Sequence, residues 1–304
     1  MTQRRSAGLA ARVSARLGEA PVWLPDEGRL LWVDVRSAVL HSFHPASGRS
    51  VSTALGGAVS IVLPDDSGGL VAVTPDGVGV LDEATGVVHD VVTMLQAPGT
   101  RLNDANCDSA GRLWVGSLSA EWNGGRDGCL YRVGPDLRGT VAADGFGVAN
   151  GIGWSPDGAI LYLVDSAADT VTAFACDPGS GEITSPRVFA QWTGPGVPDG
   201  LTVDEEGGVW VAISGGGVVC RYLPSGELDT TVSLPVSKAT SCEFGGAGLD
   251  QLFITTSATD HPAIPGTSAT EELAGCLFVV AAGVRGTPRH PFRRTAVTPM
   301  SGGS

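Results

Sequence analysis

The sequence predicts an all-β fold, a six-bladed β-propeller with a metal site in its central channel. A unit of two short strands joined by an acidic, glycine-rich turn recurs along the chain, and its clearest copy is VPDGLTVDEEGGVW from Val197. A period of roughly 40–50 residues built from strands and turns is typical of propeller blades. No stretch of a dozen residues has the 3.6-residue period of an amphipathic helix. The six turns, 39 to 49 residues apart, lie near Asp26, Asp65, Asp108, Asp157, Glu205 and Ala247.

The repeat covers almost the whole chain, so we expect one domain over residues 1–304. Residues 1–11 and about 287–304 lack the pattern and are expected to be loose tails. Residues 13–17 alternate apolar and polar side chains, as an edge strand does. The apolar run at 276–280 is expected to pair in the blade that holds this N-terminal strand, which would close the ring.

Two segments are longer than the repeat requires. Residues 118–127 follow the second strand of the third unit, and residues 255–272 follow the second strand of the sixth. Long loops on a rigid scaffold often carry function, so we expect both segments at the mouth of the channel.

Composition restricts the classes of partner. A net charge of −13 argues against nucleic acid and against an anionic membrane surface. The sequence has no apolar run long enough to span a bilayer and no signal-peptide core. The six cysteines are isolated and lack CxxC spacing, so we expect reduced core residues in a cytoplasmic protein. Nothing in the sequence indicates an oligomeric state.

One position of the repeat carries a side-chain oxygen in five of its six copies. This position opens the innermost strand of each blade, where the ring converges on its channel, so oxygen ligands from separate blades would meet at one point. Two carboxylates with amide oxygens are typical of a site for Ca²⁺, Mg²⁺ or Mn²⁺. Any one of these residues alone would also suit a turn. The six equivalent residues are Glu19, Ala58, Asn103, Asn150, Asp199 and Thr240.

The chain resembles the SMP-30/gluconolactonase/luciferin-regenerating-enzyme family, which includes regucalcin. The resemblance covers about residues 14–285 and rests on LGEAPVW, RLNDANCD, ANGIGWS, VPDGLTVDEEGGVWVA and KATSCEFGG in the family's order. It implies a six-bladed propeller with one divalent metal in the channel and, for most characterised members, sugar lactonase activity. It also implies Glu19, Asn150 and Asp199 as metal ligands. Ca²⁺ is the first choice of metal, with Zn²⁺, Mn²⁺ or Mg²⁺ as alternatives.

The same resemblance implies a set of substrate-binding residues. Arg101 and Asn103 match the family's RxND motif, Asp104 is the acid beside them, and Glu121 matches a further substrate contact. The guanidinium of Arg101 offers a rigid fork of donors for sugar or carboxylate oxygens. Each residue also has a plain structural interpretation: Arg101 as a surface ion-pair partner, Glu121 as a solvated loop residue, and Asp104 as an acid that holds its neighbours. The segment after Glu121 is shorter than in regucalcin-like members, so their substrate specificity is not transferred.

The resulting hypothesis is metal-assisted hydrolysis of a small sugar lactone to its aldonic acid. The cation polarises the ester carbonyl and lowers the pKa of a bound water. Asp199 is our first choice of general base, in addition to being a ligand, and Asp104 is the alternative.

Two other functions stay open at this point. The same channel site would suit a non-catalytic, calcium-binding regulatory protein, although Arg101, Asn103 and Asp104 favour a substrate. It would also suit a calcium-dependent esterase or phosphotriesterase that acts on other esters. A Ser-His-Asp triad is disfavoured because all five histidines lie outside the repeat motifs.

Overall fold

The computed structural model describes residues 2–94, 98–119, 124–260, 264 and 271–294. These residues form six β-sheets that surround a central channel, and the predicted six-bladed all-β propeller is confirmed. The described residues contain no helix, and therefore none that is long and apolar enough to cross a membrane.

Each blade is a four-stranded antiparallel sheet in which successive strands lie farther from the channel, and blade 5 has one additional strand at its outer edge. The innermost strands of blades 1 to 6 are β3 (Gly18–Leu24), β7 (Ile61–Pro64), β11 (Thr100–Cys107), β15 (Ala149–Trp154), β19 (Val197–Val203) and β23 (Ala239–Gly245). The second strands are β4 (Arg29–Asp34), β8 (Leu70–Val73), β12 (Leu113–Ser119), β16 (Ile160–Asp165), β20 (Val209–Ser214) and β24 (Gln251–Thr256). The third strands are β5 (Val39–His44), β9 (Gly77–Asp82), β13 (Gly128–Val133), β17 (Thr170–Cys176), β21 (Val218–Tyr222) and β25 (Leu277–Ala281). The outer strands are β6 (Arg49–Ala54), β10 (Val87–Thr93), β14 (Gly139–Phe146), β18 (Ile183–Gln191), β22 (Leu228–Ser233) and β2 (Gly8–Ala11), and β1 (Gln3–Ser6) lies outside β22.

The core lies between neighbouring blades. The second strands are buried on both faces, as in β20 with the sequence VWVAIS, because each blade packs against the next. Outer strands such as β6, RSVSTA, are mostly exposed and polar. Consecutive innermost strands contact each other around the ring, and β23 returns to β3. This arrangement brings one end of all six innermost strands to the same mouth of the channel.

Residues 2–11 are not the loose tail that the sequence suggested. β1 pairs in parallel with β22 at the edge of blade 5, and β2 pairs with β25 as the outer strand of blade 6. Residues 13–17, the predicted edge strand, form a loop instead. β25 pairs with an N-terminal strand, as expected for ring closure, but that strand is β2 and not residues 13–17. The short, polar strand β1 is held by backbone pairing with β22. Its side chains therefore show no alternation of apolar and polar residues from which the strand could be predicted.

Residues 287–294 of the expected C-terminal tail also pack against the propeller. We call residues 284–294 the C-terminal strap. The Phe292 side chain is fully buried, and its backbone bonds to Pro64 and Asp66. Arg289 donates to Glu243 on β23 and to Asn106 on β11. The strap therefore ties several blades together at the end of the channel opposite the predicted site, and residues 295–304 lie outside the described part of the chain.

Buried aspartates hold the turns at this same end. Asp204 is fully buried and accepts hydrogen bonds from Gly208 N (2.7 Å) and Trp210 Nε1 (2.8 Å). Asp108 accepts a similar bond from Trp114 Nε1 at 2.9 Å. These acidic residues of the repeated turns therefore stabilise the fold and are not part of the predicted site. All six cysteines are free, and five of them are buried.

Candidate metal and substrate site

A cavity of about 400 Å³ lies at the mouth of the channel where the innermost strands begin. Five of the six superposed positions line it, and the sixth, Thr240, is buried and donates to Gly18 O at 2.5 Å. Residues from one register position of the repeat therefore line the same cavity. The five lining residues are Glu19, Ala58, Asn103, Asn150 and Asp199.

The strands themselves turn these side chains inward. In five of the six innermost strands, regular pairing with the second strand breaks at or beside the site position. The pairing of β19, for example, skips from Pro198 to Leu201 and leaves Asp199 inside the break. Such irregularities bend a strand and re-aim its side chains, and they are common beside active sites.

Two glycines allow the innermost strands to approach each other at this level. A Cβ at Gly151 would lie 2.8 Å from Asp199 O on the next blade. A Cβ at Gly200 would overlap the Ser241 hydroxyl and lie within 2.8 Å of the Ser241 Cα. The glycines that follow Asn150 and Asp199 are therefore required for close packing of these strands.

Replacing Gly200 with alanine is expected to force β19 away from β23 and to cost about 1–3 kcal/mol of folding free energy, as overpacking does. Because Asp199 precedes this glycine, metal affinity should fall as well. Thermal unfolding and calcium calorimetry would measure the two effects. Gly57→Ala is the matched control, because a Cβ there meets no atom within 4 Å. Wild-type stability and affinity in Gly200→Ala would contradict the packing argument.

The site holds two carboxylates, a half-buried one on Glu19 and a buried one on Asp199. Asp199 is 8% exposed and accepts a hydrogen bond from Asn150 Nδ2 at 2.6 Å. The same amide nitrogen donates to Ser166 Oγ at 3.1 Å, which fixes the Asn150 side chain. Within the described part of the chain, neither Glu19 nor Asp199 forms a salt bridge.

Burial and mutual repulsion act on the same carboxylates. Burial is the largest cause that raises the pKa of Glu19 well above its usual range, and the charges of Asp199 and Asp104 raise it further. Burial also raises the pKa of Asp199 to about 8, against the opposing hydrogen bond from Asn150. A bound cation would relieve this desolvation and repulsion.

The donor set fits a hard cation. It consists of two carboxylates and the amide oxygen of Asn150, which is the oxygen-rich chemistry that Ca²⁺ and Mg²⁺ prefer. Among the residues that the structure describes, no group of three or more His, Cys, Asp or Glu side chains could hold a metal ion. A site here therefore depends on the amide as well as on Glu19 and Asp199.

Asp104 occupies a different position from Asp199. Burial raises its pKa to about 6, and its Oδ1 accepts a hydrogen bond from the Ala105 backbone at 2.8 Å. It is not one of the residues that line the cavity. The geometry therefore favours Asp199 over Asp104 as the carboxylate that meets a ligand.

Arg101 and Asn103 form one wall of the cavity. Arg101 Nη1 donates to Leu102 O at 3.1 Å and to Asn103 Oδ1 at 3.4 Å, and Asn103 Nδ2 donates to Ala149 O at 3.2 Å. Burial lowers the pKa of the Arg101 guanidinium, while the charge of Glu19 opposes this shift. The two side chains support each other at the cavity wall.

The two long loops are only partly described. Glu121 lies outside the described residues, so its role stays a prediction. Leu118, Thr259 and Ile264 line the cavity, which places parts of both loops at the predicted mouth.

Sequence reasoning missed Lys238 and Ser166, which also line the cavity. The signal for Lys238 was available, because it lies two residues before a superposed position, as Arg101 does. Ser166 gave no signal, because it follows the second strand β16 and does not occupy a superposed position of the repeat.

Comparison with known proteins places the chain among relatives of the same length and shape. It is 36% identical over 280 residues to the pentonolactonase XacC of Haloferax volcanii, which covers 90% of this chain and 94% of that protein. It is 33% identical over 282 residues to regucalcin of Danio rerio, covering 91% and 94% of the two chains. The structure of a calcium-binding protein, regucalcin, from Agrobacterium tumefaciens superposes with a TM-score of 0.86 at 27% identity, over 97% of this chain and 100% of that one. The sequence model of the SMP-30/Gluconolactonase/LRE-like region matches residues 17–258, and the chain belongs to this family.

Proposed function

We propose that the protein is a divalent-metal-dependent lactonase that opens a sugar lactone to its aldonic acid. The observation that carries the proposal is a pair of carboxylates that form no salt bridge within the described residues, the half-buried Glu19 and the buried Asp199. They face a cavity that Arg101 and Asn103 also line. The pentonolactonase of Haloferax volcanii supports the same class of reaction.

Glu19, Asn150 and Asp199 would hold the metal, with Ca²⁺ as the first choice and Zn²⁺, Mn²⁺ or Mg²⁺ as alternatives. When bound there, a divalent cation polarises the lactone carbonyl and lowers the pKa of water. The calcium-binding protein regucalcin of Agrobacterium tumefaciens supports Ca²⁺ as the first choice.

Asp199 is assigned as the general base because its carboxylate lines the cavity and that of Asp104 does not. Asp199 accepts a proton from the attacking water as the water oxygen bonds to the carbonyl carbon. The ring C–O bond then breaks, and the proton returns to the released ring oxygen. Asn150 holds the Asp199 carboxylate in place through its amide N–H.

Arg101→Ala is expected to lower kcat/KM about 10–100-fold, mainly through KM, because charge-assisted hydrogen bonds of about 1.5–3 kcal/mol to the substrate are lost. Calcium affinity should stay within about twofold, because the metal ligands do not include Arg101. Steady-state kinetics and calcium calorimetry measure the two quantities. Arg49→Ala on the outer strand β6 is a control that keeps wild-type kinetics. Loss of calcium binding in Arg101→Ala would mean that the ligand set is wrong.

The test of the proposed function is lactone hydrolysis by pH-stat on metal-stripped protein, with Ca²⁺, Mg²⁺, Mn²⁺ or Zn²⁺ added back. Glucono-, galactono-, xylono- and arabinono-lactones form the first panel, and aryl esters and phosphotriesters form the second. Metal-restored turnover of a lactone supports the proposal. Turnover of the second panel alone would favour the esterase or phosphotriesterase alternative. Tight metal binding without any turnover would favour a non-catalytic, calcium-binding role.

A further inference from the structure

The repeat that located the metal position also defines a second ring of residues nearer the mouth. This ring lies two residues before the site position in each blade, and five of its six members line the cavity. Only Arg101 in blade 3 and Lys238 in blade 6 are charged. Blades 3 and 6 are three apart in a ring of six, so these two cations lie on opposite walls. The six members are Leu17, Gly56, Arg101, Val148, Val197 and Lys238.

Lys238 is buried in an unusual way for its type. Its side chain is 1% exposed, whereas lysine is almost never fully buried unless it is paired. Its Nζ lies 3.3 Å from Asp260 Oδ1, and the Asp260 side chain is itself 44% exposed. An ammonium group has three N–H donors, so a contact with Asp260 leaves capacity for ligand oxygens.

The charge of the cavity points to the kind of ligand that Lys238 would meet. A divalent cation would balance the two carboxylates of Glu19 and Asp199. Arg101 and Lys238 then add positive charge on the two walls, and the exposed Arg36 adds more. Asp260 offsets part of this charge. Lactone hydrolysis converts a neutral ester into a carboxylate, so the product gains the charge that these side chains attract.

We propose that Lys238 is a second cationic substrate-binding residue, which binds oxygens of the sugar lactone and of its aldonate product on the wall opposite Arg101. This inference rests on the proposed function, because it names a contact of the same site. Arg101 and Lys238 would then bind the same substrate from opposite walls of the cavity.

The alternative task for Lys238 is to anchor the loop that carries Asp260. However, other hydrogen bonds already anchor this loop. The Lys238 carbonyl accepts a hydrogen bond from Ser257 N at 3.1 Å, and Ser237 N donates to Glu271 Oε2 at 3.0 Å. These contacts do not involve the Lys238 ammonium group, so they remain when it is removed.

The test compares Lys238→Met, which keeps an apolar stem, with Asp260→Asn, which weakens only the ion pair. On the best lactone of the panel, Lys238→Met should raise KM about tenfold or more and weaken inhibition by the matching aldonate by a similar factor, as the loss of a charged hydrogen bond does. In Lys238→Met, calcium affinity and kcat should change less than about threefold. Asp260→Asn should change KM less than about threefold. Lys238→Arg should keep most of the aldonate affinity that Lys238→Met loses. Equal effects of Lys238→Met and Asp260→Asn, or an unchanged KM in Lys238→Met, would overturn the proposal.

The failure of the proposed function is distinguishable from the failure of this inference. If the wild-type protein hydrolyses no lactone, calorimetry of gluconate and arabinonate with the calcium-loaded protein still decides the role of Lys238. Weaker aldonate binding by Lys238→Met supports the inference without turnover. Equal binding by the variant, or no aldonate binding by the wild type, overturns it.

Discussion

Replacing Asp199 with asparagine is expected to abolish metal-dependent lactone hydrolysis, with a loss in kcat/KM of at least about a thousandfold. The substitution keeps the shape of the side chain and an oxygen that can accept the hydrogen bond from Asn150 Nδ2. It removes the negative charge that would bind the cation and the carboxylate that would accept the proton. The pH-stat assay with added Ca²⁺ measures the loss, and calcium calorimetry shows how much of it comes from metal binding.

The same variant is expected to stay folded. Burial raises the pKa of Asp199 to about 8, so above that pH the ionised carboxylate destabilises the metal-free protein. Metal-free Asp199→Asn should therefore be at least as stable as the metal-free wild type at pH 9, as thermal unfolding would show. Asp157→Asn, at an exposed turn of blade 4, is the control for removal of a carboxylate and should keep full activity. Unfolding of Asp199→Asn at 25 °C, or retained turnover, would contradict a purely functional role for this residue.

The sequence could predict this site because the fold is a closed ring of repeats. Residues at the same position of each unit come to the same level of the channel, so the register alone grouped Glu19, Asn150 and Asp199. The register also separates acids that look alike in the sequence. Asp108 and Asp204 each lie three residues before a glycine. They belong to the turns at the other end, where they accept hydrogen bonds from backbone and tryptophan N–H groups.

The chain ends were predicted poorly because their order does not depend on side-chain periodicity. Strand β1, QRRS, is mostly exposed on both faces and is held by backbone pairing with β22. Residues 13–17 alternate as a strand does, but there Ala15 is buried in a loop and its N–H bonds to Gly275 O. In the C-terminal strap, one buried side chain, Phe292, and a few backbone bonds fix a segment that has no repeating pattern.

Calcium affinity of the metal-free protein is expected to fall about tenfold for each pH unit below pH 8, which amounts to about a hundredfold between pH 8 and pH 6. The pKa of Asp199, raised to about 8 by burial, means that this carboxyl is protonated in the metal-free protein near neutral pH. Calcium binds the ionised form, so it must displace this proton, and affinity stops rising once pH exceeds the pKa. The raised pKa of Glu19 acts in the same direction.

Calorimetry of calcium binding at pH 6, 7 and 8, in buffers with different enthalpies of ionisation, would count the protons released.

Thermal unfolding is an independent measurement, because the raised pKa values also fix the direction in which stability changes with pH. An acid whose pKa is higher in the folded state holds a proton that the unfolded state releases, so the metal-free protein should lose stability as pH rises from about 4 to about 8. Saturating calcium should remove much of this loss, because it binds the ionised carboxylates of the folded state. An affinity that does not change with pH would show that both carboxylates are already ionised without metal. The positive charges of Arg101 and Lys238, and not bound protons, would then stabilise these carboxylates in the metal-free protein.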